Sequence, residues 1–468
     1  MEFNKINLSI ELIKQTIKDT EWENKIYIAG GAVRDEIIGE NIKDIDLLVD
    51  FPDGGILFSI WFTKKLGIYT KGNPVIYPRF GTSKFNLRKQ FYKGVDLSEI
   101  EVECVMPRKE IYKEGDRKPD VISGTLKDDV DRRDFTINSL LKNLSNDEIL
   151  DLTGMGRMDI EKGIVRTPLD PDIIFSDDPL RMMRAIRFTV KYNWILPMFM
   201  INSIKKNFKR IQYISMERIQ DELNKMLMTK NPDKSIRLMV ITKLSNYVFP
   251  EINKLINLKQ NKYHKYDAFK HTLHVLKNTP PDLITRLAAL FHDIGKYKTK
   301  TIENNEIHFY GHDDMGYHIT IDIMRRLHYS RSLIEPVSLL VKEHMRTKFS
   351  GDDGKISNKS LRKLKQIFGP YLENALDLIH ADNISHSNNH NMPNQINNIR
   401  KKLYQLRELD KNYSEKCPLN GVDVMKILNI EGGPLIGKIL NYLNDIYLDN
   451  PSLSKKELEN IVKNIHII

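Results

Sequence analysis

Two carboxylates two residues apart mark the first place in this sequence where chemistry is possible. Lys43-Asp44-Ile45-Asp46-Leu47-Leu48-Val49 reads as a strand. Residues two apart on a strand face the same side, so Asp44 and Asp46 project together while Ile45 and Leu47 enter a core. Paired carboxylates on one face make a site for Mg²⁺, a hard cation that takes a few carboxylates plus substrate phosphate oxygens. Metal held in this way would activate a hydroxyl and stabilise the pyrophosphate leaving a nucleoside triphosphate. Just upstream, Ile28-Ala29-Gly30-Gly31-Ala32-Val33-Arg34-Asp35 puts two glycines between a strand and a helix. The N–H groups of such a turn can face phosphate. Alone, an Asp-x-Asp or a Gly-Gly is usually an ordinary turn; joined, they are much more specific. Glu101-Val102-Glu103 places two more acids on one strand face. Either can complete the metal site, and Glu103 is the favoured third carboxylate.

Arg132 and Arg133 offer cationic forks for a triphosphate, while Asp134 and Asn138, four apart on a helical turn, can bond ribose hydroxyls. Asp178-Pro179 is a local helix start, with Asp as N-cap and Pro as first helical residue. Arg181 lies three residues on, along the same helical face as Asp178. An Asp acceptor beside an Arg donor matches the amino group and ring nitrogen shared by cytosine and adenine. Guanine and uracil present the reverse pattern and would leave buried polar groups unpaired. Asp178 therefore reads both as a helix cap and as a base selector. Arg181, Arg184 and Arg187 form a basic stripe opposite Leu180, Met183 and Ile186. With Lys205, Lys206, Lys209, Arg210 and Arg218 they form a surface that can track phosphates.

A second constellation is rich in histidine: Phe269-Lys270-His271-Thr272-Leu273-His274 and Leu290-Phe291-His292-Asp293-Ile294-Gly295-Lys296. A carboxylate buried behind the apolar run Leu287 to Phe291 is costly without a partner. A metal removes that cost, and Asp382 in Leu378-Ile379-His380-Ala381-Asp382 can supply the last ligand of a set made of His271, His292, Asp293 and Asp382.

The elements that must position these groups follow from the pattern of the whole chain. At 468 residues it is expected to hold roughly three domains. With 41% hydrophobic and 29% charged residues it belongs to the ordinary globular class. Lys plus Arg (72) against Asp plus Glu (62) leaves +10, which suits a polyanionic partner. No apolar stretch reaches the roughly 20 residues of a membrane span, and no secretory leader is evident. Two cysteines cannot make a disulfide framework, so a cytoplasmic location is expected. From Tyr27 to about Leu152 short apolar runs alternate with glycine turns, as in a mixed sheet with helices. After the hinge Thr167-Pro168-Leu169-Asp170-Pro171 apolar residues recur at helical spacing, and the rest is expected to be almost all helix. Asn257 to Lys265 and the Asn/His-rich Ser385 to Asn398 read as breaks, the latter as an exposed loop.

The motif Gly30-Gly31-Ala32-Val33-Arg34-Asp35 followed by Lys43-Asp44-Ile45-Asp46-Leu47 resembles the first motif of the class II tRNA nucleotidyltransferase and bacterial poly(A) polymerase family, within the polymerase-beta superfamily. Arg132-Arg133-Asp134-Phe135-Thr136-Ile137-Asn138 is similar to its second motif, and Asp151-Leu152-Thr153-Gly154 to its third. Asp177-Asp178-Pro179-Leu180-Arg181 is similar to its fourth, and Glu217-Arg218-Ile219-Gln220-Asp221-Glu222-Leu223 to its fifth. The resemblance implies triphosphate binding near Gly30, Gly31 and Arg34, base selection by Asp178 and Arg181, and a tRNA acceptor arm as partner. It also implies a flexible loop at Tyr112 to Gly124 that helps the switch from C to A. Where the family usually has Glu, this chain has Asp177, whose shorter reach weakens its support of Arg181. Tyr266 to Asp382 resembles the HD superfamily of metal-dependent phosphohydrolases, and His312 and His344 match the extra histidines of HD domains that hold two metals.

The expected fold class is therefore α+β: a polymerase-beta-like head with a mixed sheet (1–170), then all-α domains. These are a helical neck for nucleotide base and RNA (171–256), an HD domain with a second divalent metal (257–390) and a helical tail (391–468). The expected activity is addition of CCA to tRNA from CTP and ATP with Mg²⁺. Poly(A) polymerase and CC-only or A-only addition are the near alternatives. An HD phosphohydrolase with an RNA-binding head is the distant one.

Overall fold

The computed structural model describes residues 2–111, 120–347, 351–411, 413–414 and 416–465. The chain forms two compact units, one from residues up to 226 with 238–247, the other from 227–237 with 248 onward. It therefore passes between them three times.

The first unit is built on a seven-stranded mixed sheet. Its order is Ile149–Leu150, Leu141–Asn143, Ile26–Ala29, Ile45–Val49, Glu101–Val105, Thr82–Asn86, Val75–Tyr77. All neighbours are antiparallel except Ile45–Val49 with Glu101–Val105, which run parallel. Ile26–Ala29 is buried throughout and takes a central place. Ile45 and Leu47 are buried and Asp44 and Asp46 exposed, the alternation expected, although the strand begins at Ile45, one residue after Asp44. Leu48 shares the face of Asp46 and packs with Tyr27, Ala29, Val130 and Leu141. On the helix Gly54–Lys65, Phe58 meets Trp22 at 5.5 Å and Phe62 stacks on Phe85 at 5.1 Å. Arg108–Ile111 and Asp120–Ser123 pair as a separate hairpin, and residues 112–119 of the expected flexible loop lie outside the described residues. Helices Pro171–Asp177, Leu180–Tyr192, Met198–Asn207 and Met216–Leu227 follow.

The second unit is helical with one exception. Thr301–Glu303 and Glu306–His308 form an antiparallel hairpin within a unit that is otherwise almost all helix among the described residues, as expected. Its turn residues Asn304 and Asn305 both take positive φ (49° and 62°), the conformation of a two-residue turn that asparagine tolerates. Arg286 is buried and donates to the carbonyl oxygen of Thr229 at 2.8 Å and to that of Leu227, which ties residues 227–237 into this unit. Near the C-terminal end, Leu419, Val424, Ile436, Ile439, Leu443, Tyr447, Leu458 and Val462 form a core of their own.

Candidate active sites

Gly30 ends the strand Ile26–Ala29 at φ 73° and ψ −134°, a region open in practice to glycine alone. A Cβ here would also approach Nη1 of Arg133 to 3.3 Å. This turn forms one wall of a cleft of about 520 Å³ that Gly31, Arg34, Asp44, Asp46, Arg132, Arg133, Asp134, Asn138, Asp178, Arg181, Arg184 and Arg187 also line. Of the residues expected to bind nucleotide or Mg²⁺ in this unit, Asp177 and Glu103 are the two outside the lining. Lys43, Asp35, Phe188, Lys191 and Arg218 join it without having been expected there as nucleotide ligands.

Asp46 faces Glu103 across the parallel strand pair, whereas Glu101 lies opposite Asn86. Lys84 holds both glutamates, at 2.8 Å from Glu101 and 3.2 Å from Glu103. Although Asp46 reaches solvent, protein crowds its flanks and strips hydration. That desolvation, then Glu103 and Asp44, push its pKa up to about 6, with Arg133 and Lys84 pulling the other way. A carboxylate so destabilised in its charged form is suited to a divalent cation.

The arginines are oriented by acids. Asp129, fully buried, accepts Nε of Arg132 at 3.0 Å, and Nε and Nη2 of Arg133 at 3.0 and 2.8 Å. Burial alone would raise its pKa, but Arg133 and Arg132 outweigh it and hold it below the usual carboxylate value. Asp129 was missed in the sequence, although its spacing of three and four residues to two arginines is a helical ion-pair signal. Its ion pairs contribute stability above the ordinary carboxylate pKa and lose it as pH falls below. Asp129→Asn is expected to cost about 3 kcal/mol at pH 7 by leaving two half-buried guanidinium groups uncompensated, read as a lower midpoint in urea.

Asp134 accepts Nδ2 of Asn138 at 2.9 Å and Nε of Arg184 at 2.9 Å. Arg34 is buried against the rings of Phe188 and Tyr192, bonds Oδ1 of Asp35 and donates to the side chain of Asn138. Arg187 bonds the buried Glu222 at 2.6 Å. The stripe Arg181, Arg184 and Arg187 lines the cleft, where Asp134 and Glu222 fix two of its members. Asp178 caps its helix, its Oδ1 accepting the N–H of Leu180 at 3.1 Å, and its Oδ2 pairs with Nη2 of Arg218 at 2.9 Å.

In the second unit, His271, His292, Asp293, His312, His344 and Asp382 come together, carried by five helices or the residues that end them. His271 Nε2 lies 3.0 Å from Asp382 and 3.6 Å from Asp293; His292 Nε2 lies 3.3 Å from Asp293, and His312 Nε2 3.6 Å. Nδ1 of His292, His312 and His344 bonds the carbonyl three residues earlier (Ala289, Phe309, Val341), at 2.9, 2.9 and 2.6 Å. Those bonds commit Nδ1 as donor and direct each Nε2 inward; His292 differs from the others in that, against burial, the Asp293 carboxylate raises its pKa. Nε2 of His292 and His312 is buried without a hydrogen bond. Burial pushes His271, His312 and His344 down, His344 to about 3, so each is a neutral imidazole able to ligate. Asp293 is held far below the usual carboxylate range: burial alone would raise it, but His292 and Lys296 prevail. These donors fit a metal: orphaned imidazole nitrogens converge on an ionised carboxylate.

Gly295 lets this happen, since a Cβ there would lie 2.1 Å from the carbonyl oxygen of His312. Lys296 was overlooked as a separate element: its ammonium bonds Asp293, Gln260 and His264 at 2.7, 2.7 and 3.1 Å. The ring of His264 lies tilted against that of His271 at 4.8 Å, and His386 meets it edge-on at 5.5 Å. Both lie in stretches read only as breaks. The loop after Ser385 is exposed at Asn388, Asn389, Asn391, Pro393 and Asn394 and also forms a wall of the histidine cavity, supplying His386, Asn389, His390 and Met392, while Gln395 and Ile396 are buried at the start of the helix Gln395–Leu409.

Among known proteins, three family models match: the poly A polymerase head domain over residues 26–166, the probable RNA and SrmB-binding site of polymerase A over 200–256, and the HD domain over 269–393. The mitochondrial CCA tRNA nucleotidyltransferase of Saccharomyces cerevisiae is 30% identical over 260 residues, 53% of this chain and 46% of that one. The chain spans about half the length of this and the other fungal relatives it matches. The multifunctional CCA protein of Haemophilus influenzae is 30% identical over 319 residues, 65% of this chain and 70% of that one. In fold, the chain is similar to the CCA-adding enzyme of Bacillus stearothermophilus solved with CTP (TM-score 0.67, 19% identity, 98% of this chain and 96% of that one). With residues of its first, second and fourth motifs gathered in one cleft and the Haemophilus influenzae relative matched over more than two thirds of its length, the chain belongs to the tRNA nucleotidyltransferase and poly(A) polymerase family and carries an HD domain.

Proposed function

We propose that this protein adds CCA to the 3′ end of tRNA: the terminal hydroxyl attacks the α-phosphate of CTP, twice, then of ATP, and pyrophosphate leaves each time. The single observation behind this is the cleft shared by Gly30, Asp44, Asp46, Arg133, Asp178 and Arg181. Asp44 and Asp46 would hold Mg²⁺, with Glu103 beside Asp46 as third carboxylate. When bound, Mg²⁺ supplies Lewis-acid stabilisation of the charge developing on the phosphate oxygens. The Gly30-Gly31 turn and Arg34 border the triphosphate. Arg132 and Arg133, anchored on Asp129, would supply positive charge to it, and Asp134 with Asn138 would meet the ribose. Asp178 accepts the amino group of cytosine or adenine while Arg181 donates to the ring nitrogen, which refuses uracil and guanine. Asp177 lies outside the lining of the cleft. The positive side chains of the neck give a tRNA acceptor arm its phosphate contacts.

At the histidine cluster the orphaned nitrogens favour a second activity, hydrolysis of phosphate esters. His271, His292 and Asp382 would hold one divalent ion and His312 and His344 another, with Asp293 between; this donor set suits Mn, Fe, Ni or Zn. No helix among the described residues is long and apolar enough to cross a membrane. Cys104 and Cys417 are both free, which suits a reducing cytoplasm.

The test is to incubate purified protein and Mg²⁺ with a tRNA transcript lacking CCA, offer CTP and ATP separately and together, and sequence the products. Addition of C, C and A, then arrest, is expected. A run of A from ATP alone would make it a poly(A) polymerase instead, and CC or A alone a partial enzyme.

A further inference from the structure

The carboxylate of Asp178 is held from two sides. Oδ1 accepts the N–H of Leu180 at 3.1 Å, from the first residue of the helix that follows, and Oδ2 accepts Nη2 of Arg218 at 2.9 Å, from the helix Met216–Leu227. The last torsion of an aspartate is soft, with a broad two-fold preference. One donor leaves the carboxylate able to swing about that bond, whereas donors on different oxygens fix its plane. Arg218 lines the same cleft as Gly30 and Asp46, and its side chain is 53% exposed. It is thus placed at the ligand and not in the packing beneath it. Among the neighbouring arginines, Arg184 is committed to Asp134 and Arg187 to Glu222, while the bond from Arg181 to the carbonyl oxygen of Ile174 is long, at 3.5 Å. The acceptor of the base-reading pair is therefore rigid, and its donor has room to adjust.

We propose that Arg218 is a specificity-determining positioning residue, which fixes the Asp178 carboxylate so that the amino edge of cytosine or adenine is accepted and the carbonyl edge of uracil or guanine refused. The role rests on the CCA-adding reading above. A carboxylate has about four lone-pair sites, so Arg218 and a base amino group can be accommodated together. Arg218 stays in place when the base docks. A uracil or guanine carbonyl then meets a carboxylate oxygen that cannot turn away, leaving two acceptors opposed without a hydrogen between them. Without Arg218 the carboxylate rotates, water enters the gap, and the penalty on the wrong base falls more than the gain for the right one.

The test measures kcat and KM for CTP, ATP, UTP and GTP on tRNA lacking CCA, with wild type, Arg218→Ala and Arg218→Lys. In Arg218→Ala the CTP-to-UTP ratio of kcat/KM is expected to fall about tenfold, the scale of one misplaced polar partner. The loss with CTP should be carried by KM. Arg218→Lys, which keeps the charge and one donor but not the fork, should recover part of the ratio. A merely structural role would lower all four nucleotides in step, and that result, or a ratio equal to wild type, overturns the proposal. Should Arg218→Ala fold poorly, Arg218→Lys alone decides: a lowered ratio supports the role and an unchanged one overturns it. A wild type that incorporates neither C nor A would instead overturn the CCA-adding reading.

Discussion

Asp46→Asn is expected to abolish nucleotide addition and, in the same protein, to raise its melting temperature in EDTA at pH 8. The two effects share one cause. Asp46 lies beside Glu103 and Asp44 in a crowded cleft, and its pKa is pushed up to about 6 by desolvation and those neighbouring charges. Between the ordinary carboxylate value and about 6 the folded chain holds a proton that the unfolded chain has released. As pH rises through that window the native state is forced to carry the charge, and stability falls. The amide escapes that penalty, so its advantage should be present above pH 6 and vanish below about pH 4, where both states bind the proton. On the proposed function catalysis moves the opposite way, because an amide would not replace the carboxylate in holding a divalent cation. The loss should be at least about a thousandfold, the scale at which removing one electrostatic stabiliser of a transition state lowers kcat. Incorporation of labelled CMP and a melting curve in EDTA read the two effects. A variant that kept its activity would remove Asp46 from the metal site.

The second large effect is expected at the other site. Replacing His292 and Asp293 together with alanine should abolish retention of transition metal by the full chain, and with it hydrolysis of bis-p-nitrophenyl phosphate. CCA addition should remain. Asp293 is approached by His271, His292 and His312 within 3.6 Å and by the Lys296 ammonium at 2.7 Å, so the pair removes both a ligand and the charge around which the cluster is organised. Metal content after dialysis, measured by mass spectrometry, checks the binding apart from any activity. If the variant kept its metal and its hydrolysis, the site would lie elsewhere. Loss of tRNA extension as well would show that the two chemistries are not separable.

What could be read in the sequence, and what could not, follows from how far each signal travels along the chain. Asp44 and Asp46, or His292 and Asp293, are neighbours whose chemistry is visible in one strand or one turn. The α/β head followed by helices was legible for the same reason, since apolar period and glycine turns are local. Arg218 stands forty residues from Asp178, and the ion pair between them depends on how two helices pack, which spacing does not encode. The same holds for Lys296 with Gln260 and His264, and for the segment after Ser385, whose polar composition reads as solvent-facing but which also walls the histidine cavity. Asp129 and the Asn304-Asn305 turn differ: each carries a local signal, hidden in the first case beneath a more conspicuous Arg-Arg-Asp and in the second within a helical stretch.

The path of the chain also bears on how such a gene can be divided. A polypeptide that leaves one compact unit and enters the next only once can be split at that point, by evolution or by a protease, into two pieces that each keep their fold. This one crosses three times, and residues 227–237 belong to the second unit although 238–247 return to the first. A break near residue 256 would strip the later fragment of the carbonyls of Leu227 and Thr229, leaving the buried guanidinium of Arg286 without those partners. The cleft-bearing and histidine-rich halves are in this sense inherited as one, since neither can be cut out cleanly without taking part of the other.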